Sequence, residues 1–280
     1  MRERLPEYLK RPIIDTDKTR TVRKILKSNC LNTVCEGARC PNKNECYSKH
    51  TATFLIMGNV CTRNCRYCNI SCEKPQQLDT DEPKHIAKAV KDLGLKYTVI
   101  TSVTRDDLED GGANHFAQCI YEIKNTSPLT KIEILTPDFK NNKKSLDTII
   151  KAHPDVFNHN IETVKEIFKT ARPQGSYDNS ISVLKYIKEN SDIKTKSGLM
   201  IGLGETFEQI EQTLTNLHNV HCDILTIGQY IQPSKQHLPV AKYYKPEEYE
   251  KLKELAASIG FKNFQIGPLV RSSYNAASLI

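Results

Sequence analysis

The stretch Cys61-Thr62-Arg63-Asn64-Cys65-Arg66-Tyr67-Cys68 follows a short apolar run at residues 53–57. It puts three cysteines into one loop with the spacing CxxxCxxC. Three thiolates in one loop can hold three irons of a 4Fe-4S cluster and leave the fourth iron without a protein ligand. Catalytic metal sites keep a coordination position open in the same way, whereas structural sites close it. The loop therefore predicts a catalytic iron-sulfur cluster directly after the first strand.

Beyond this loop, β-branched and apolar runs alternate with amphipathic stretches. Strands are predicted at residues 53–57, 97–102, 131–135, 155–158, 196–201 and 223–227. Helices are predicted near residues 82–93, 113–124, 143–152, 163–170, 179–189, 207–217 and 247–259. Strands separated by helices form parallel sheets, whose active residues lie at the carboxyl ends of the strands. The predicted fold class is α/β, a partial six-stranded parallel (β/α)6 barrel.

The predicted organisation has three parts. Residues 1–50 form an N-terminal cysteine-rich extension with almost no periodic apolar pattern, which we expect to wrap around a metal. Residues 51–262 form the barrel core, and residues 263–280 form a short C-terminal tail over the site. No internal repeat or flexible linker marks a second folded unit.

Composition narrows the classes of protein further. No apolar run approaches the roughly eighteen residues of a membrane span, and the first residues lack the apolar core of a secretory signal. The net charge is +7, but lysines and arginines are scattered, which favours a solvated surface over a nucleic-acid interface. We therefore expect a cytoplasmic protein without membrane or nucleic-acid partners. In that reducing compartment, ten cysteines favour metal binding over disulfides.

A second cysteine triad precedes the first. Cys35, Cys40 and Cys46 have the spacing CxxxxCxxxxxC. Because no histidine or fourth cysteine lies at zinc-finger spacing, a closed tetrahedral zinc site is disfavoured. The triad instead favours a second iron-sulfur cluster.

The CxxxCxxC triad after a strand, with an aromatic residue before its last cysteine, resembles the signature of the radical S-adenosylmethionine superfamily. The upstream triad and the ending Arg271-Ser272-Ser273-Tyr274 narrow the resemblance to the lipoyl synthase family. The likeness covers nearly the whole chain. It includes the stretches at residues 101–108, 157–162, 195–200 and 228–234.

The resemblance implies two 4Fe-4S clusters and S-adenosylmethionine. Cys61, Cys65 and Cys68 would hold the cluster that chelates the cofactor and splits its sulfonium to a 5′-deoxyadenosyl radical. Cys35, Cys40 and Cys46, with Ser273 as a fourth ligand, would hold an auxiliary cluster that donates sulfur. A serine alkoxide is a harder ligand than thiolate, so its bond to iron should be the easier one to surrender.

By the same resemblance, two sulfur atoms would be inserted at carbons 6 and 8 of an octanoyl chain on a carrier lysine. The carriers would be lipoyl domains of 2-oxoacid dehydrogenases and the glycine-cleavage H protein. A ferredoxin or flavodoxin would donate the electrons. Two cofactor molecules would be consumed for each product.

Five further residues are candidate cofactor contacts by this resemblance. Asn160 and Glu162 would hold the ribose, Thr101 and Asp106 would contact the cofactor amino group, and Tyr67 lies within the cluster loop. Ordinary structural roles stay open. Asn160 suits a turn or helix cap and Glu162 a first helical turn, while Thr101 and Asp106 also suit an ordinary loop.

Other polar residues and cysteines are less informative. Arg172 and Lys196 could line the site and engage a carboxylate or carbonyl, although solvated side chains are the alternative. His159 and His237 are expected to be structural, because radical hydrogen abstraction needs no proton shuttle. Four cysteines lie outside the triads and are expected to be free, with Cys72 marking a loop that departs from the family pattern: Cys30, Cys72, Cys119 and Cys222.

Two other functions fit part of the pattern. A methylthiotransferase-like radical enzyme also has two clusters, but it would need a C-terminal substrate-binding module, and only six residues follow Tyr274. A non-catalytic two-cluster electron carrier would close both clusters with four cysteines each. Neither triad has a cysteine in the usual fourth position.

Overall fold

The computed structural model describes residues 5–12 and 16–280, and most of its strands form one sheet. The strands are β1 (Asn32–Thr33), β2 (Thr53–Ile56), β3 (Val60–Cys61), β4 (Ser71–Cys72), β5 (Tyr97–Ser102), β6 (Lys131–Leu135), β7 (Val156–Asn158), β8 (Lys194–Ile201), β9 (Ile224–Gln229) and β10 (Asn263–Gly267). Eight of them form the sheet in the order β1-β2-β5-β6-β7-β8-β9-β10, and β3 pairs with β4.

Helices cover this sheet. They are α1 (Asp17–Ser28), α2 (Val34–Gly37), α3 (Lys43–Ser48), α4 (Glu82–Asp92), α5 (Ala113–Thr126), α6 (Lys143–Ala152), α7 (Lys165–Ala171), α8 (Tyr177–Asn190), α9 (Phe207–Asn219) and α10 (Pro246–Ile259). All residues of β2 and of β9 are buried, as expected for strands of a parallel sheet that is covered on both faces. The α/β class predicted from the sequence is confirmed.

The sheet contains one parallel strand more than the six predicted. β10 pairs in parallel with β9, so the barrel core extends beyond residue 262 into the segment assigned to the tail. The sequence of β10, Asn263-Phe264-Gln265-Ile266-Gly267, alternates polar and apolar residues, as a half-exposed edge strand does. With β1 antiparallel to β2 at the other edge, the barrel stays open between β1 and β10.

The N-terminal extension is more regular than its sequence indicated. Helix α1 begins with a capping box between Thr16 and Thr19 and buries Val22 and Leu26 on one face. The shorter helices α2 and α3 carry cysteines of the upstream triad. The sequence predicts no secretory signal at the N-terminus. Residues 1–4, which belong to that segment, lie outside the described residues. None of the described helices is both long and apolar enough to cross a bilayer.

Lys196 lies in the core, so the expectation that it lines the site or points to solvent is corrected. Its Nζ lies 3.0 and 2.9 Å from the two carboxylate oxygens of Glu133, and both side chains are 0% exposed. Tyr97 and Asn158 donate to the same carboxylate at 2.6 and 2.9 Å. The network ties together four neighbouring strands, β5 to β8.

Breaking this buried pair should be costly. We expect Lys196→Ala to lower the free energy of unfolding by about 3–5 kcal/mol, because it leaves the Glu133 charge buried without its partner. Chemical denaturation followed by circular dichroism measures the loss. Lys194→Ala, at an exposed position of the same strand, is the matched control and should change stability little. Equal losses in both variants would contradict a special role for the pair.

Candidate active site

A cavity of about 560 Å³ lies at the carboxyl ends of the parallel strands. Residues at or just after the ends of β5 to β9 line it, together with parts of the N-terminal extension and the tail. Five of the six triad cysteines and the tail serine border this one space: Cys35, Cys40, Cys61, Cys65, Cys68 and Ser273. Cys46 does not line the cavity and is partly buried on helix α3. The cavity thus joins three segments that are far apart in the sequence.

Buried charges anchor the CxxxCxxC loop. The guanidinium of Arg63, inside the loop, donates to Asp106 at 2.7 and 2.9 Å and to Asp138 at 2.8 Å from two of its nitrogens. Burial would raise the pKa of Asp138, but the hydrogen bonds and charge of Arg63 hold it well below its usual range. Backbone amides of Arg63 and Thr104 also donate to Cys61 Sγ at 3.4 and 3.3 Å. The loop is therefore fixed to the ends of β5 and β6.

This network engages Asp106, one of the predicted cofactor contacts. Asp106 does not line the cavity, because its carboxylate is engaged by Arg63 and lies 3.8 Å from Lys140. Thr101 does line the cavity, and its hydroxyl donates to Leu135 O at 2.9 Å while its lone pairs remain available. Thr101 is therefore placed to contact a ligand directly, whereas the contact predicted for Asp106 stays a prediction.

The other end of the loop is held by a histidine and by backbone hydrogen bonds. His237 contacts Ser234 Oγ through Nδ1 at 2.8 Å and Cys68 O through Nε2 at 2.9 Å. Arg66 donates from its amide to Ala171 O and accepts from Leu238 N, each at 2.9 Å. These bonds give His237 the structural role expected for it.

Burial disfavours free thiolates in both triads. It raises the pKa of Cys35 to about 11 and that of Cys46 and Cys68 to about 12. Near neutral pH these thiols are protonated unless a metal displaces the proton. In the described part of the chain, no three His, Cys, Asp or Glu side chains are grouped closely enough to hold a metal ion. An iron-sulfur cluster bonds each cysteine to a different iron. Its cysteines therefore need not lie as close together as the ligands of a single metal ion.

Asn160, Glu162 and Tyr67, predicted as cofactor contacts, come together at the cavity wall. Burial raises the pKa of Glu162, whereas the positive charge of Arg172 and, to a smaller extent, the neighbouring side chains of Asn160 and Tyr67 lower it. The backbone of Glu162 has φ +68°, a left-handed conformation that costs a non-glycine residue about 1–3 kcal/mol. Its amide donates to Gly198 O at 2.9 Å and its carbonyl accepts from Met200 N at 2.8 Å, so bonds to β8 maintain the strained turn.

Four buried polar atoms on the cavity wall have no hydrogen-bond partner among the described residues: Ser102 Oγ, Thr136 Oγ1, His159 Nε2 and Arg172 Nε. Such an atom costs about 1–3 kcal/mol unless ordered water or a ligand satisfies it, so these four side chains are candidates to bind a polar ligand. Arg172 lines the cavity, which is one of the two placements that the sequence left open for it. Ser102 and Thr136 were not predicted, and their only sequence signal is a hydroxyl at a strand end.

His159 is neutral at this wall. Its Nδ1 lies 2.9 Å from Thr136 O, which fixes the proton on Nδ1 and leaves Nε2 as an acceptor. Burial, reinforced by the charge of Arg172, lowers the pKa of His159 to about 4. The structural role expected for His159 accounts for Nδ1, which bonds to the backbone. It does not account for Nε2, which has no partner among the described residues.

The C-terminal tail lines one side of the cavity. Asn42 Nδ2, between two cysteines of the upstream triad, donates to Leu269 O at 2.6 Å, and Tyr274 OH donates to Glu45 Oε1 at 2.9 Å. Between these anchors, Ser272 Oγ donates to Asn160 Oδ1 at 2.7 Å. A side chain at Gly228 would collide with the Val270 carbonyl, so the tail also packs closely on the end of β9.

The four cysteines outside the triads are free thiols. Cys119 and Cys222 are buried, whereas Cys30 and Cys72 are exposed. Cys72 lies on β4 in register with Cys61 on β3, so the loop after the cysteine triad returns alongside its start.

The family model described as the Radical SAM superfamily matches residues 55–217. Solved structures of other proteins share the fold. Methylornithine synthase superposes with a TM-score of 0.58 at 15% identity, covering 85% of this chain and 73% of that chain. SuiB from Streptococcus suis bound to S-adenosylmethionine gives a TM-score of 0.57 at 14% identity, covering 78% of this chain and 51% of that chain. Fold and site define a radical S-adenosylmethionine enzyme.

Curated relatives narrow the class. The lipoyl synthase of Caldicellulosiruptor saccharolyticus is 53% identical over 277 residues, which are 99% of this chain and 97% of the relative. The lipoyl synthase of Caldanaerobacter subterraneus subsp. tengcongensis is 49% identical over the same shares of the two chains. The chain belongs to the lipoyl synthase family.

Proposed function

We propose that the chain inserts two sulfur atoms at carbons 6 and 8 of a protein-bound octanoyl-lysine, with its two cysteine triads in separate roles. The observation that carries this division is the single cavity bordered by cysteines of both triads. A cavity of about 560 Å³ suits a small organic ligand, since such sites span about 300–1,000 Å³. A radical site and a sulfur source on one cavity can act on the same carbon.

The residues present fit the cofactors implied by the family. Cys61, Cys65 and Cys68 would hold one 4Fe-4S cluster, leaving an iron for S-adenosylmethionine. Together these two groups supply a radical that removes hydrogen from an unactivated carbon. Thr101 and the unpartnered atoms of Ser102, Thr136, His159 and Arg172 would satisfy the polar parts of the cofactor. Asn160 and Glu162 would bind its ribose, with Tyr67 packed beside them.

Cys35, Cys40 and Cys46 would hold an auxiliary 4Fe-4S cluster whose sulfide is transferred to the substrate. We propose Ser273 as its fourth ligand. Ser273 borders the cavity with Cys35 and Cys40, and its hydroxyl makes no hydrogen bond within the described residues, so it is available to iron. A hard oxygen ligand is the weaker match for this iron and should leave first.

The apolar wall suits an aliphatic chain. Leu55, Val103, Leu135 and Leu199 are among the lining residues, and they would exclude water from a reactive carbon. We propose octanoylated lipoyl domains of 2-oxoacid dehydrogenases and the glycine-cleavage H protein as substrates. A ferredoxin or flavodoxin would supply electrons. The reduced thiols that both clusters require favour the cytoplasm as the compartment.

Product analysis of anaerobically reconstituted protein tests the proposal. We expect about eight irons for each chain, as two 4Fe-4S clusters require. Adding S-adenosylmethionine and a low-potential reductant should convert an octanoylated carrier peptide to the lipoyl form. Mass spectrometry follows both the product and 5′-deoxyadenosine. About four irons with cofactor cleavage but no product would contradict the two-cluster assignment.

A further inference from the structure

The tail connects the segment of the upstream cysteines with the wall that carries Asn160. Asn42 and Glu45, which belong to the upstream segment, bind the tail at Leu269 and Tyr274. Ser272 lies between these anchors, and its hydroxyl donates to Asn160 Oδ1 on the cavity wall at 2.7 Å. These two residues are 112 positions apart in sequence, and the bond is partly buried. A shift of the tail therefore changes the surroundings of Asn160 directly.

The bond between Ser272 and Asn160 is closely packed. A Cβ atom at Gly198 would lie 2.6 Å from both Asn160 Oδ1 and Ser272 Oγ, below any ordinary van der Waals contact. Glycine on β8 is what allows the two side chains to meet at this point. Because the bond lies directly on the strand, the tail has little room to slide while the bond persists.

The bond also orients the Asn160 amide. An amide oxygen accepts hydrogen bonds and the amide nitrogen donates them. With Oδ1 held by Ser272, the NH₂ group stays free to donate, and the Asn160 side chain lies close enough to the Glu162 carboxyl to lower its pKa. Removing the Ser272 hydroxyl would allow the amide to rotate. Ser272 thus acts on the cavity wall through Asn160.

We propose that Ser272 is a positioning residue that couples the auxiliary-cluster segment to the S-adenosylmethionine site through Asn160. The inference rests on the proposed function, because it takes Ser273 as a ligand of one cluster and Asn160 as a contact of the cofactor. An intact auxiliary cluster holds the tail at Ser273 and so keeps the adjacent Ser272 on Asn160. Once that cluster is lost, the tail loosens and the site binds cofactor more weakly.

The coupling has a consequence for turnover. Binding free energies of coupled sites are reciprocal, so bound cofactor also favours the tail position in which Ser273 faces the cluster. A chain that has already given up its sulfur would take up less cofactor. Unproductive cofactor cleavage is then limited by the tail.

Equilibrium binding of S-adenosylmethionine to anaerobically reconstituted protein tests the coupling. Four full-length proteins are compared: the unmodified chain, Ser272→Ala, Cys40→Ala and the double variant. We expect Ser272→Ala to raise the Kd about fivefold, the factor that one ordinary hydrogen bond supplies, while iron content stays unchanged. Cys40→Ala should weaken binding when Ser272 is present and add no further loss in the double variant. That non-additivity is what a merely structural serine would not produce.

Ser278→Ala is the matched control, because this tail serine donates only to the nearby Asn275 O, at 2.8 Å, on an exposed surface. Its Kd should equal that of the unmodified chain. An unchanged Kd in Ser272→Ala, or fully additive losses in the double variant, would overturn the coupling. An unmodified chain that binds neither clusters nor cofactor would instead overturn the proposed function, so the two failures are distinguishable.

Discussion

Replacing Cys65 with alanine is expected to abolish 5′-deoxyadenosine formation. The loop has three cysteines for three irons, so loss of one leaves a cluster that cannot both persist and keep its open iron. Cys65 borders the cavity, and the loop that carries it is fixed by Arg63 and His237, so the backbone itself should stay in place. Iron should fall from about eight to about four for each chain, because only the auxiliary cluster remains. Iron analysis and chromatography of the cofactor products provide the measurement.

Cys72→Ala is the control for this experiment. Cys72 lies beside the same loop, in register with Cys61, but it is exposed and outside the triad. This variant should retain full iron content and cofactor cleavage. Cleavage at the unmodified rate in Cys65→Ala would show that the radical site has been assigned to the wrong cysteines. Loss of cleavage in Cys72→Ala would show that the loop uses a ligand set other than the triad.

Local pattern was sufficient for most of the fold. Helix α6, Lys143–Ala152, has the bounds predicted from its apolar spacing, and Asn142 caps it by accepting from Lys144 N. Strand β10 was missed because five alternating residues near a chain end resemble an extended tail. Helix α1 was missed because its buried face is narrow and the surrounding segment is rich in charge.

For the site, too, local features could be predicted from the sequence and long-range contacts could not. Cysteine spacing is a local signal, and five of the six cysteines that it selected border one cavity. The ion pair of Asp106 was not predicted because its partner, Arg63, lies 43 residues earlier, and no local pattern reveals that pairing. Lys196 failed for the same reason, since Glu133 is 63 residues away. The hydroxyls of Ser102 and Thr136 are buried without a hydrogen-bond partner. The sequence could not predict this, because it depends on which groups the fold brings near them.

Replacing Cys40 with alanine is expected to separate cofactor cleavage from sulfur insertion. Cys40 borders the cavity from the N-terminal extension, whereas the CxxxCxxC loop has its own anchors at Asp106, Asp138 and Ala171. The radical site should therefore survive, and S-adenosylmethionine should still be cleaved, although more slowly if the tail coupling holds. No lipoyl peptide should form, because without the auxiliary cluster the chain has no sulfide to transfer.

The measurement for Cys40→Ala is the ratio of 5′-deoxyadenosine to lipoyl peptide, taken with an octanoylated carrier peptide under reducing, anaerobic conditions. We expect 5′-deoxyadenosine with product below detection, and iron near four for each chain, as a single 4Fe-4S cluster requires. Cys30→Ala is the matched control, since Cys30 is an exposed cysteine of the same extension outside the triad. It should keep the unmodified ratio. Normal lipoyl product from Cys40→Ala would mean that the transferred sulfur comes from another source, and the upstream triad would then hold a cluster with a different task.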